Sequence, residues 1–186
     1  IRDRIFTAEA YNGNGWETFV FDDLLTPEWS PNSTGDAAWI AVEFLDTDCS
    51  YCKKSAEDVG NWAEQYSSAV WDGPDVIFIA VAVEFVGDSS RAEIKEFRDS
   101  YEHTFAYVDD LDVDIAGDWD VGATPSYFLV QPDGIVAWNS GQASNSIGWD
   151  AVNEEVFPMT DYTGDDYIEL NEAIEQLTKK YGGETQ

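Results

Sequence analysis

Ala37-Ala38-Trp39-Ile40-Ala41-Val42-Glu43-Phe44-Leu45-Asp46-Thr47-Asp48-Cys49-Ser50-Tyr51-Cys52 carries both cysteines of the 186-residue chain, three positions apart and just after a short apolar run. The run reads as a buried strand, and the segment after Cys52 as an amphipathic helix. Cys49 therefore falls where a strand hands over to a helix N-terminus. Unpaired backbone N–H groups and the positive end of the helix dipole favour a thiolate there, which makes Cys49 the candidate nucleophile. Cys52, one turn further in, is the candidate buried resolving thiol. Glu43 is the one charged residue on the strand. Burial disfavours a carboxylate and raises its pKa, so Glu43 either shares a proton system or reaches solvent from the strand end.

Beyond the cysteines, Val59, Trp62, Ala63, Tyr66 and Val70 recur at helical spacing, so the helix is expected from about Ser50 to about Trp71, stopped by Gly73-Pro74. Val76 to Val83 is uninterruptedly apolar, the pattern of a central strand covered on both faces and parallel to the first. Phe6–Tyr11 and Trp16–Phe21 read as a hairpin around Asn12-Gly13-Asn14-Gly15, followed by a loop from Asp22 to Asp36. Ser90-Arg91-Ala92-Glu93 fits a capping box, with Ile94, Phe97 and Tyr101 on the helix face that follows. Next come a strand at Phe105–Val108, a short helix near Ile115–Trp119, and a hairpin of Ser126–Val130 with Ile135–Trp138 around Gln131-Pro132-Asp133-Gly134. Gly141 to Asp165 is weakly patterned and receives no assignment. Tyr167, Leu170, Ile174 and Leu177 define a closing helix from about Asp166 to Tyr181, ended by Gly182-Gly183.

The expected organisation is one domain over 1–186: hairpin and loop (1–36), core (37–140), inserted loop (141–165) and C-terminal helix (166–181). No linker divides it, and 44% hydrophobic residues with eight Trp argue against disorder. Nine Lys and Arg against 38 Asp and Glu give a net charge of −29. Such a surface repels nucleic acid and anionic lipid and suits solubility in high salt, where the Debye length falls to roughly 3 Å at 1 M. No stretch reaches the roughly 20 apolar residues of a membrane span. The chain opens at Ile1 without methionine, as expected if a signal or anchor has been trimmed, or equally if the boundary falls inside a larger protein. No cofactor is expected. One distant His103, read as a surface helix-end residue, leaves the cysteine pair short of ligands for a structural zinc.

Three stretches together resemble the thioredoxin superfamily, and within it the TlpA/ResA-type extracytoplasmic thiol–disulfide oxidoreductases: Val42 to Lys54, Ile77 to Val83, and Val121-Gly122-Ala123-Thr124-Pro125 running on to Gly134. The resemblance covers roughly Ala37 to Ser140. It implies a thioredoxin-like α/β fold, a central mixed sheet flanked by helices, here with an added N-terminal hairpin. It implies a cis Pro125 beside the cysteines, with the Thr124 backbone pairing an extended substrate. It also implies that Glu43, six residues before Cys49, takes up the Cys52 proton. Tyr51, inside the pair, is similar to isomerase-type C-x-Y-C sites and is the third expected substrate contact. Partners would be protein disulfides or dithiols and a redox protein, the chain a monomer outside the cytoplasm. Asp48 stands where the family carries Trp, Ser55 where ResA-like reductases carry an acid, and Glu57 where a helix-kinking proline is common.

The direction of electron flow turns on the Cys49 thiolate. The helix terminus favours it by about 0.3–2 kcal/mol, and Lys53 and Lys54 add to that. Asp46 and Asp48 would each oppose it by about 2 kcal/mol if they lay about 7 Å away at an effective dielectric near 20. These opposing contributions are comparable, so the sequence leaves the balance open, with a TlpA/ResA-type reductase preferred. The competing class is a binding module in which Cys49–Cys52 is an inert staple. Peroxiredoxin chemistry fits less well, because Thr47-Asp48-Cys49 lacks that group's longer Pro/Thr/Cys spacing.

Overall fold

The computed structural model describes residues 5–31, 37–140, 147–150, 155–158 and 169–181, with side chains for 5–31, 37–140 and 169–179. Its centre is β3 (Trp39–Leu45), all seven residues of which are buried, parallel to β4 (Val76–Val83). Strand β4 is parallel in turn to β5 (Ala106–Asp110). On the other side β3 pairs antiparallel with β6 (Ser126–Val130), and β6 with β7 (Val136–Asn139). The hairpin of β1 (Thr7–Tyr11) and β2 (Trp16–Val20) joins through β1 to β5, completing a seven-stranded mixed sheet of order β2-β1-β5-β4-β3-β6-β7.

Strand periodicity sorts the core into two layers. Trp39, Ala41 and Leu45, with Phe78, Ala80 and Ala82, face α1 (Ser50–Tyr66), α2 (Arg91–Ser100) and α4 (Leu170–Tyr181). Ile40, Val42 and Phe44, with Ile79, Val81 and Val83, face α3 (Asp114–Asp118) and the one-turn helix Phe21–Leu24. Each fully buried large side chain, Trp39, Tyr66 and Phe44 among them, contributes roughly 1.5–3 kcal/mol. The Ser90 N-cap forms as read, its hydroxyl accepting from the Glu93 N–H at 3.4 Å, while Glu93 Oε2 accepts from that hydroxyl at 2.7 Å in place of the reciprocal backbone bond of a full capping box.

Three expectations are corrected. Helix α1 stops at Tyr66 rather than near Trp71, and Val70, expected in the core, is 91% exposed. The hydroxyls of Ser67 and Ser68 donate at 2.7 Å to the carbonyls of Ala63 and Gln65, closing the helix one turn early. Trp71 then folds back, its ring 4.8 Å from Tyr66 and its Nε1 donating to Pro74 O. His103, read as a surface residue, is buried: its Nδ1 lies 2.7 Å from the Tyr107 hydroxyl and its Nε2 2.8 Å from Ala56 O. The loop after the hairpin opens with that helical turn, seated by buried Phe21. Within the unassigned 141–165, Ile147–Asp150 and Glu155–Pro158 pair as β8 and β9. Tyr167 and the Gly182-Gly183 stop lie outside the described residues.

Arg98 ties the hairpin to α2. Although buried, its guanidinium donates from Nε to Phe105 O at 2.9 Å and from Nη2 to Asn12 O at 3.1 Å, and stacks on the Tyr11 ring. Gly13 closes the hairpin at φ +98, and a Cβ there would meet Arg98 Nη1 at 2.8 Å. Arg98→Ala, which strands two carbonyls, should lower stability by about 2–4 kcal/mol in denaturant titration. Arg98→Lys should recover less than half of that, since an ammonium lacks the fork that spans both acceptors.

Candidate functional site

The sheet register assembles the site. Phe44 pairs with Ser126 across antiparallel β3 and β6, so the end of β3 and the start of β6 coincide. The turn 46–49 and the loop 123–125 therefore meet at one edge. Ser126 Oγ donates to Ala123 O at 2.7 Å, tightening that loop, and the Thr124–Pro125 peptide is cis. Cys49 is the N-cap of α1, its carbonyl accepting the Lys53 N–H at 3.1 Å, and its Sγ donates to Thr124 O at 3.4 Å. Cys49 is partly exposed and Cys52 is buried, both as thiols.

Electrostatics separate the two sulfurs. Burial alone raises the Cys49 pKa, but hydrogen bonds from the Cys52 N–H, from the Thr124 and Cys52 side chains, and from the Tyr51 N–H outweigh it, and the thiol ends below its ordinary value. Cys52 is pushed well up, first by burial, then by Cys49 and the charge of Glu43. The opposition expected from Asp46 and Asp48 is not what sets Cys49. Buried Asp46 spends its carboxylate on backbone: Oδ1 accepts Asp48 N at 2.8 Å, and Oδ2 accepts Phe85 N and Val86 N at 2.8 and 2.7 Å. Asp48 is paired with Lys53 at 3.7 Å. Gly87 follows at φ +86, where a Cβ would lie 2.1 Å from Asp48 Oδ2.

Glu43 is 3% exposed, which removes the solvent-reaching alternative. Burial drives its pKa from 4.5 up to about 8, with the nearby Tyr127 hydroxyl offsetting part of the rise. Its Oε2 is fully buried with no hydrogen-bond partner among the described residues. Cys49, Cys52, Glu43, Thr124 and Pro125 are thus brought together. Tyr51 shares their helical turn, but its ring is 67% exposed beneath Lys54 Nζ at 5.1 Å.

Sequence reasoning missed the exposed Phe85 and Val86, held beside the turn by Asp46, and the Tyr127–Ser55 contact, hydroxyl to hydroxyl at 3.0 Å. The one available signal was that Tyr127 shares the face of Leu129 on β6, toward the cysteine helix. No helix among the described residues is long and apolar enough to cross a membrane. Nor does any group of three or more His, Cys, Asp or Glu among them converge on a metal position.

Among solved structures, a secreted Mycobacterium tuberculosis disulfide oxidoreductase homologous to E. coli DsbE is 18% identical, with a TM-score of 0.55 over 73% of this chain and 82% of that one. StoA from Bacillus subtilis is 14% identical, TM-score 0.52, over 73% and 83%. An uncharacterized conserved protein from Geobacillus kaustophilus is 14% identical, TM-score 0.62, over 97% and 82%. At these identities the likeness is one of fold, which is thioredoxin-like. No curated protein sequence matches the chain. The AhpC/TSA family model matches residues 18–139, from β2 to the end of β7 and including both cysteines, Glu43 and Pro125; the chain belongs to the AhpC/TSA family.

Proposed function

We propose that the chain is a thiol–disulfide oxidoreductase acting on protein substrates through Cys49 and Cys52. The observation that carries this is the asymmetry of the pair: an accessible thiol with a lowered pKa at a helix N-terminus, and three residues on a buried thiol with a raised one. A staple needs no such difference; a nucleophile and its resolving partner do.

The Cys49 thiolate attacks one sulfur of a substrate disulfide. A Cys49–substrate S–S bond forms, the substrate bond breaks, and the departing sulfur takes a proton from solvent. Cys52 then gives its proton to the Glu43 carboxylate and attacks the Cys49 sulfur. The second substrate thiolate leaves and the pair is oxidised, two electrons having passed to the substrate. Glu43, with a pKa of about 8, is about one-tenth ionised at pH 7, so the resolving step gains a base as pH rises toward 8.

The Thr124 backbone beside Pro125 is the edge on which an extended substrate segment pairs, with Tyr51 as an exposed aromatic contact. The resemblance to TlpA/ResA proteins supports a monomeric, single-domain extracytoplasmic reductase, recharged by a redox partner. The net charge of −29 supports a high-salt setting and argues against nucleic acid as partner.

Reduced protein should catalyse insulin reduction with dithiothreitol. Cys49→Ser should abolish turnover, and Cys52→Ser should accumulate a mixed disulfide visible by non-reducing electrophoresis. A Cys49–Cys52 bond resistant to dithiothreitol, without turnover, would establish the inert-staple reading instead. Consumption of hydrogen peroxide in place of disulfides would also overturn the proposal.

Glu43 has a stability signature as well. Its folded pKa of about 8 exceeds the unfolded 4.5, so the native state binds the extra proton between these values. This group's contribution is full below about pH 4.5 and is lost as pH rises through 8, by about 5 kcal/mol in all. Glu43→Gln should therefore match the parent in Tm near pH 4.5, gain an advantage that grows to about pH 8, and hold it above, in calorimetric scans across that range.

A further inference from the structure

We propose that Tyr127 and Ser55 form the outlet through which Glu43 exchanges the Cys52 proton with solvent. The proposal rests on the reading of Glu43 as proton acceptor and extends it, because a buried carboxyl that takes a proton in each cycle must also release it. Glu43 cannot do so directly: it sits at 3% exposure on the central strand, beneath α1.

The register offers two ways out. Glu43 pairs with Tyr127 on β6, and through Ala80 on β4 it shares a row with Tyr107 on β5. Residues paired across a ladder project from the same face, so both tyrosines flank the carboxyl on the side that α1 covers. The branch through Tyr107 is closed. Ala56 O can only accept, so His103 Nε2, 2.8 Å away, carries the imidazole proton, and His103 Nδ1 accepts the Tyr107 hydroxyl at 2.7 Å. Tyr107 and His103 are both buried, and their chain ends on a helix carbonyl.

The branch through Tyr127 is open. Its hydroxyl donates to Ser55 Oγ at 3.0 Å, and Ser55 is half-buried on the first turns of α1, three residues after Cys52, where it donates to Tyr51 O at 3.2 Å and Cys52 O at 3.3 Å. When Glu43 is protonated, its O–H passes to the Tyr127 oxygen as the Tyr127 proton passes to Ser55 Oγ. The Ser55 proton, turned from its helix carbonyl, goes to water. One proton leaves Glu43, and Tyr127 and Ser55 end as they began. Run backwards, the same row reloads the carboxyl. The titratable and charged groups around Glu43 are Cys52 from α1, Tyr127 from β6, and Tyr107 from β5 with His103 and the α2 residue Arg98 behind it. Tyr127 and Ser55 act through Glu43 and touch no reacting sulfur, so they are positioning residues.

The test is stopped-flow reduction of a chromogenic aryl disulfide by the reduced full chain. A first burst of aryl thiolate reports Cys49 attack and a second reports resolution by Cys52, followed from pH 6 to 9 in water and in D₂O. Tyr127→Phe should slow the second burst by roughly tenfold at pH 7, enlarge its solvent isotope effect and move its pH midpoint upward, leaving the first burst unchanged. Ser55→Ala should shift the second burst in the same direction and serves as the test should Tyr127→Phe fail to fold. Tyr107→Phe should leave both bursts alone.

A Tyr127→Phe second burst equal to the parent's at every pH would overturn the proposal. So would slowing of both bursts together, or slowing by Tyr107→Phe instead. Glu43→Gln separates the two levels: an unchanged second burst in that variant sinks the acceptor role itself, whereas a slowed one beside a normal Tyr127→Phe sinks only the outlet.

Discussion

The double pairing of β3, parallel to β4 and antiparallel to β6, is the constraint on which the site depends. It buries all seven strand residues, so the chain leaves the sheet at Leu45 in a fixed direction and Cys49 begins a helix that lies back over the sheet. The antiparallel partner starts where β3 ends, and this sets Thr124 against the Cys49 sulfur although they are 75 residues apart. The same pairing places Glu43 in the sheet interior under Cys52, where burial disfavours the carboxylate and its proton becomes hard to remove.

With a net charge of −29, a thiolate would be expected to suffer from its own protein. Local geometry answers this at short range. The two aspartates nearest in sequence are turned to other partners, Asp46 to three backbone N–H groups and Asp48 to Lys53. The hydrogen bonds that reach Cys49 come from the first turn of α1 and from Thr124. Direct hydrogen bonds therefore outrank charges that are already turned to other partners.

The central strands were legible because uninterrupted apolar runs such as Val76 to Val83 admit few other readings, and the hairpins because Asn12 to Gly15 and Gln131 to Gly134 carry their own turn chemistry. The end of α1 was not, since the helical spacing of Val70 continues past the point where two serine hydroxyls close the helix. His103 was misplaced because a polar residue after a helix reads as solvated, and only the assembled sheet supplies Tyr107 and Ala56 as partners. In the site, the spacing of Cys49 and Cys52 and the Thr124-Pro125 pair could be read locally. The link from Tyr127 to Ser55 spans 72 residues, and the Asp46 contacts with Phe85 and Val86 span about 40; neither is a pattern within any window of sequence.

The hairpin clamped by Arg98 bears on how the chain behaves in company. Without β1, strand β5 would be the border of the sheet, and its backbone would offer unpaired groups to any extended chain nearby. By docking there, β1 moves the border outward to β2, a five-residue strand whose middle positions Glu17 and Thr18 are exposed and polar. For a protein whose proposed substrates are other polypeptides, this makes the far border of the sheet short and polar, a poor template for a passing strand.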